Sequence, residues 1–361
     1  MTVINSNTST YLKATIEKSA CSLLFLSLCL FEAAVADSLS IFAGEDHLSP
    51  SVIQQFQNKF GIKIRLIPYS RMSSREERIE KLLNTDIDLI LLDNTAVNDH
   101  AKHGWIGELN NTWLPNRKNI HRHWREQLSA THRYLVPYSG DAFGLIYRAD
   151  LITTPLVSWS AVFSHTQALH GKILLSDQPV ELLSSVMRYL HQDIQSATGP
   201  QMRAAEKLLM NIRPSVRHFT SDLRAVTEHL ASGNVWVAQG FSAEAKTIQY
   251  SDPNVEFVIP TEGSFYYVDG FAISAQSQNV RQAHRFLNFL MRKTVLRQIR
   301  EYLNSPVSFR SGRVELDSST KRPPKTLPIQ QSPLRLFTQP EITTVRRLMS
   351  TWHTLNTSEK P

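Results

Sequence analysis

Cysteine is nearly absent from this chain. Of its 361 residues only Cys21 and Cys29 are cysteines, and both lie in the first thirty positions. Beyond them no disulfide framework, thiolate nucleophile or cysteine-ligated metal can be built. Long apolar runs are also missing after the N-terminal region, so no later segment supplies the ~20 residues that a membrane span needs. Acidic residues are outnumbered: 39 Lys and Arg face 32 Asp and Glu, a formal net charge of +7 with a pI of about 9.4. Such a balance speaks of partners and solubility rather than of fold. The sequence holds no nucleophile elbow and no persuasive Ser/His/Asp or metal-ligand constellation. An exported enzyme therefore ranks last among the readings weighed below. His121-x-His123 is read as part of a solvated or partner-docking patch rather than as a metal site.

What is present begins with an export signal. Lys13 and Lys18 precede an apolar run over 23–31, and Ala34-Val35-Ala36 then supplies a small-x-small cleavage pattern before Asp37. A run of about ten apolar residues is too short to span a bilayer, so 1–36 reads as a cleaved secretory signal. Both cysteines fall inside it. Export makes nucleic acid an unexpected partner despite the pI.

From residue 39 the chain alternates strand and helix. Short apolar strands are expected at 39–42, 62–67 and 88–92. Ser49-Pro50 starts a helix that Gly61 ends, because Ser caps, Pro suits the first turn and Gly takes the left-handed stop. Charged amphipathic segments fill the gaps. This β-α-β-α-β order predicts an α/β fold with a parallel sheet, whose ligands sit beyond the carboxyl ends of the strands. Residues 113–133 and 312–333 read as loops. Two strands, at 134–138 and 143–147, flank a crossing at Ser139-Gly140-Asp141. A second α/β unit follows, and 342–355 reads as a final helix. Two lobes are expected: 37–140 opens the first, 141–271 forms the second, and 272–361 returns to the first.

The stretch at 266–273, Tyr-Tyr-Val-Asp-Gly-Phe-Ala-Ile, reads as a strand that leaves an aromatic and a carboxylate in a cleft. That pair suits an organic cation, since ring faces attract charge by about 0.5–2 kcal/mol and a carboxylate neutralises it. Asp269 and Tyr267 are the firmest candidates for a binding site. Glu45 and Asp46 follow the first strand.

These residues, together with Asp88-Leu89-Ile90, Val136-Pro137-Tyr138, Leu174-Leu175-Ser176-Asp177 and the segment 263–273, resemble periplasmic solute-binding proteins of the spermidine/putrescine-binding type. The resemblance implies a two-lobed receptor that closes on a polyamine between its lobes, with no cofactor and a monomeric default. It places Asp269 as an amine-binding carboxylate, Tyr267 and Phe241 as apolar walls, and Glu181 as a second carboxylate. Thr95 and His47 take cleft positions where the family has tyrosines. Three positions depart from the pattern: Gly44 stands for a Trp, Gln178 for an amine-binding Asp, and Ser305 for a late Tyr. The resemblance implies a periplasmic protein whose partner is an ATP-driven membrane permease. An alternative is a norspermidine-sensing relative that reports to a membrane signalling protein controlling cyclic-di-GMP and biofilm formation.

Overall fold

The computed structural model describes residues 38–338 apart from 45, 70–74, 153, 165–166, 319–324 and 329–330. The export signal and the helix expected at 342–355 lie outside the described residues, as does Glu45. The first half of the fold opens with β1 (Ser38–Gly44), α1 (Pro50–Phe60), β2 (Lys63–Tyr69), α2 (Arg75–Asn84), β3 (Leu89–Asp93), α3 (Val97–Lys102) and β4 (Ile106–Gly107). α1 forms as its sequence dictates. The Ser49 side chain accepts from the Val52 amide, Pro50 occupies the first turn, and Gly61 closes the helix at φ 70°. β1 lies between β2 and β3, all three parallel, with Gly44, Tyr69 and Asp93 at their carboxyl ends. The chain then passes through α4 (Arg122–Gln127) into β5 (Val136–Arg148).

The second half contains α5 (Ser160–Phe163), β6 (Ile173–Leu175), α6 (Pro179–Tyr189), α7 (Gly199–Ile212), β7 (Val216–Phe219), α8 (Leu223–Ala231), β8 (Val237–Phe241), α9 (Ser242–Ser251) and β9 (Val255–Val258). β10 (Ser264–Ser274) then leads to α10 (Val280–Leu290) and α11 (Lys293–Tyr302). Five short strands follow: β11 (Val307–Ser308), β12 (Arg313–Glu315), β13 (Asp317–Ser318), β14 (Thr326–Pro328) and β15 (Leu334–Leu336). The main sheet runs β2-β1-β3-β10-β5-β8-β6-β7. One apolar core runs from Leu39 and Phe56 in the first half to Ala238 and Phe257 in the second, and another lies largely within the second half. Phe56 of α1 meets Phe286 of α10 edge-on at 4.9 Å in the first. Trp159 and Met187, both fully buried, anchor the second.

The halves are joined by two long strands. β5 is one strand of 13 residues, not the two expected. Its first part pairs with β10 and its second with β8 and β9. The polar triplet at 139–141 suggests a break, but each of its members has a partner in the strand. Ser139 Oγ donates to Asp269, Gly140 lies under Val307, and Asp141 accepts from the Ala243 amide at the start of α9. The basic segment at 113–133 is likewise no plain loop. Trp124, fully buried, packs against Tyr266 at 5.6 Å and Phe309 at 5.1 Å, which holds α4 in place. Within 312–333, β12 pairs with β14 and β13 with β9.

The β5–β10 register shifts between Asp269 and Gly270. A Cβ at Gly270 would fall 2.5 Å from the Val136 carbonyl oxygen and 2.5 Å from Leu135 Cγ. Backbone cannot yield as a side chain can, so Gly270→Ala is expected to cost about 1–3 kcal/mol. Urea unfolding of the two proteins checks this; an unchanged midpoint would show that the strands separate there at no cost.

Candidate functional site

β10 alternates buried and half-buried positions, which turns Tyr267 and Asp269 to one face. Asp269 is the direct cross-strand partner of Asp93, the last residue of β3. Two carboxylates placed opposite one another repel, and such a pair is a poor structural choice without a cation. Asp93 is steadied locally: its Oδ1 accepts from the Thr95 amide at 2.8 Å, the Ala96 amide at 3.2 Å and the Thr95 hydroxyl. Asp269 accepts from Ser139 at 3.2 Å. A cavity of about 260 Å³ opens beside them, lined by Tyr69, Arg78, Asp93, Thr95, Asp99 and Asp269 among others. Burial pushes the Tyr69 phenol above its usual range, and the charge of Asp269 adds to this while Arg78 opposes it.

Tyr267 carries the site towards the second half. Its ring lies 5.9 Å from Phe241, at the end of β8, and 4.9 Å from Phe337. Phe241 in turn meets Phe143 at 5.1 Å. Burial raises the Tyr267 phenol most, and the charges of Glu181 and then Asp93 raise it further. The ring therefore stands between two acidic groups. Glu181 sits in the first turn of α6, where the Ser176 hydroxyl donates to it at 2.8 Å. Its carboxyl is pushed up to about 8, by burial above all; the Ser176 bond opposes this, and Glu244 and Asp177 add to it. Glu244 is held by the Phe241 amide, which donates to it at 2.8 Å.

A larger cleft of about 830 Å³ lies between the halves. Asp46, Tyr302 and Asn304 line it from one side, and Asp177, Gln178 and Glu244 from the other. The Gln178 side-chain amide nitrogen donates to Asp177 Oδ1 at 3.2 Å, which sets the neutral amide beside a carboxylate. His47 lines neither cavity. Its carbonyl accepts from the Tyr138 hydroxyl at 2.7 Å, and its ring covers Gly44, where a Cβ would fall 2.4 Å from Nδ1. The side chain missing at Gly44 is thus replaced in space by an imidazole. Ser305 is a strut, donating to the Gly140 carbonyl and accepting from its amide at 3.3 Å.

Of the residues singled out from the sequence, the fold brings Asp269 and Thr95 to one cavity and Asp46 and Gln178 to the other. Tyr267, Phe241 and Glu181 lie between. Asp93 stands at the carboxyl end of the third strand, where a ligand was expected from the sequence; Tyr69, Asp177 and Glu244 escaped notice as site residues. Asp93 closes an apolar strand run, Glu244 reads as an ordinary first-turn acid, and only the pairing of β3 with β10 and of β8 with β6 reveals their acidic neighbours. No helix among the described residues is long and apolar enough to cross a membrane.

Two α/β halves joined by paired crossing strands, with acidic groups and rings at the junction, define an interlobe binding protein. The chain belongs to the bacterial extracellular solute-binding proteins, whose family model matches residues 51–323. It is similar to the putrescine-binding periplasmic protein SpuD of Pseudomonas aeruginosa, with 26% identity over 89% of this chain and 92% of the relative. It is also similar to the norspermidine sensor of Vibrio cholerae, with 26% identity over 79% of this chain and 78% of the relative. Among solved structures, the spermidine/putrescine transporter substrate-binding protein PotD of Streptococcus pneumoniae superposes with a TM-score of 0.77 at 17% identity. That match covers 89% of this chain and 98% of the other. The two-lobed architecture and the family expected from the sequence are both borne out. Solute-binding proteins are not an enzyme class, and the relative SpuD is a periplasmic protein.

The raised Glu181 carboxyl sets a pH dependence. The folded group keeps its proton up to about pH 8, whereas an ordinary glutamate releases it near 4.5. The fold therefore binds more protons than the unfolded chain between these values, and stability falls as pH rises through them. The melting temperature of the ligand-free protein should decline over this window, and Glu181→Gln should flatten that decline. An identical slope in both proteins would remove the assignment.

Proposed function

We propose that this chain is a periplasmic receptor for a polyamine of the spermidine, norspermidine or putrescine class. The observation that carries the reading is the spacing of acidic groups along a wall of rings. Asp269 and Asp93 face each other in the first half, Glu181 and Glu244 lie in the second, and the charges of Glu181 and Asp93 both reach the Tyr267 phenol. A polyamine asks for such a pattern: each ammonium needs an anionic acceptor and each methylene run a flat apolar face. Burying an ammonium without such partners would cost several kcal/mol. Thr95, Asp46 and Gln178 supply further polar contacts at the margins; His47 stands beside Asp46, and Glu45, outside the described residues, stays a candidate from the sequence.

In this reading residues 1–36 direct export and are removed. Residues 37–140 and 272–361 build one lobe and 141–271 the other, and the lobes close about the two crossing strands. The closed receptor is a monomer that presents its ligand to a membrane permease, and it has no catalytic role. A sensing role is the second reading, supported by the similarity to the norspermidine sensor. It uses the same cleft and differs only in the membrane protein that receives the closed form.

Calorimetric titration of residues 37–361, unfolded and refolded to strip carried ligand, tests the proposal with putrescine, spermidine, norspermidine and spermine in turn. Micromolar or tighter binding of one of them is expected. Absence of heat with all four would overturn it. Asp269→Ala should weaken that binding at least tenfold, about 1.4 kcal/mol or more, with the melting transition retained; equal affinities would move the site elsewhere. Gly44→Trp must displace the His47 ring, so it should change the order of preference among the four amines, and an unchanged order would place that loop outside the site. Because a bound ammonium favours ionised Glu181, binding at pH 7 should release protons to buffer, seen as heats that vary with buffer ionisation enthalpy.

A further inference from the structure

The positive excess of the chain is not spread evenly. Between Val280 and Leu296, α10, the start of α11 and the turn between them carry Arg281, Arg285, Arg292 and Lys293, and no Asp or Glu; Arg297 and Arg300, further along α11, are paired with Glu301 and Glu315. The neighbouring segments at 50–66 and 109–119 are also without carboxylates. The three segments meet in space. Arg285 and Arg292 each lie 5.8 Å from the centre of the Phe60 ring, and Lys59 lies 6.0 Å from it. Arg281 lies 5.8 Å from the Trp113 ring, and the Asn116 side chain donates to the Asn288 carbonyl at 2.9 Å. The nearest carboxylates along the chain are committed elsewhere. Glu301 faces Arg297 at 3.7 Å, Glu108 binds Arg133 at 2.5 Å, and buried Asp88 accepts from Ser277 and Asn279.

Three cations gathered about one ring repel each other, and among the described residues no ion pair offsets them. Neutralising them is left to something outside the molecule. The face is also interleaved with apolar groups: Trp113 is 41% exposed and Val280 39%. It lies at the end of the lobe away from the cleft. Phe60 and Lys63 mark the amino end of β2, opposite Tyr69, and Ser38, the first described residue, pairs with Lys63.

We propose that this face docks on a bilayer surface carrying anionic phospholipid. Arginine and lysine would bind the phosphate headgroups, and Trp113 and Val280 would settle at the headgroup level. A mixture of dispersed cations, an exposed indole and no acid suits a diffuse anionic plane. A protein interface instead tends to exclude charge from its centre and match it sign for sign at the rim. The docking leaves the cleft on the opposite end and does not depend on which ligand the cleft holds.

Vesicle co-sedimentation of residues 37–361 tests this, with phosphatidylglycerol mixed into phosphatidylcholine and with phosphatidylcholine alone, at about 0.1 M salt, where the screening length is about 10 Å. Binding to the anionic vesicles only, lost at high salt, is expected. The triple variant Arg281→Glu, Arg285→Glu, Arg292→Glu should bind at least about a hundredfold more weakly, each charge being worth roughly fivefold. A triple with the same charge change on the other lobe, Arg203→Glu, Lys207→Glu, Arg217→Glu, should keep most of the binding. If the first triple fails to fold, the exposed set Lys63→Glu, Lys118→Glu, Lys293→Glu replaces it. Lack of binding to anionic vesicles overturns the proposal, and so does equal loss in both triples, which would make net charge rather than this face the cause. Binding by the parent to phosphatidylcholine alone would also overturn it.

Discussion

The pairing of β5 with β10 is the constraint on which the rest of the molecule depends. These two antiparallel strands are the centre of the sheet, and each extends from one half into the other. Their hydrogen bonds set Tyr267 beside Asp141 and Asp269 beside Ser139, and leave the other edge of β10 to pair with β3, which sets Asp269 opposite Asp93. Small side chains make the approach possible. Gly270 admits the Val136 carbonyl, and Ser139 and Ser305 satisfy polar groups that the crossing would otherwise bury unpaired. The apolar cores on either side then hold the strand ends where a ligand can meet them.

The chemistry of the site follows from acids that the fold brings closer than they would choose. Asp93 and Asp269 face each other across a ladder, and Glu181 is set back from water with Glu244 and Asp177 nearby. Burial above all, with the charges of Glu244 and Asp177 adding to it, is why Glu181 holds its proton so far above the glutamate range. A site of this kind is unsettled when empty and gains from a polycation what a neutral site could not. The rings of Tyr267, Phe241 and Phe337 exclude water between the acidic ends, so the same pattern asks for charge at separated points and for apolar length between them.

Much of the architecture was legible from local signals. Ser49-Pro50 and Gly61 bracket α1 because capping and left-handed termination act within a single turn. Tyr267 and Asp269 could be paired because a strand repeats every two residues. The rest was written in contacts between distant segments. Nothing near Asp141 says that it will cap α9, so a polar triplet inside a continuous strand looked like a break. Trp124 lies in a run of basic residues and forms a helix only because Tyr266 and Phe309 receive its indole. Glu244 stands at an ordinary helix position and becomes a site residue only when β8 is laid beside β6, the strand that leads to Glu181. His47 fills the space over Gly44, which a comparison of aligned positions one at a time could only register as a loss.

The two crossing strands also set the mechanics of the molecule. A rotation of one half against the other must be taken up as twist in β5 and β10 near Ser139 and Asp269. Points on that axis hardly move, while points far from it sweep the longest arcs. Asp269 and Tyr267 are therefore at the fulcrum, and Asp46, Tyr302 and Glu244 are out on the arms. A group held at the fulcrum keeps its geometry in every posture of the molecule, so the first amine would be gripped alike by an open and a shut receptor. Only a ligand long enough to reach the arms would have leverage over the angle between them. The length of the bound molecule, more than its charge, would then decide how far the two halves swing together.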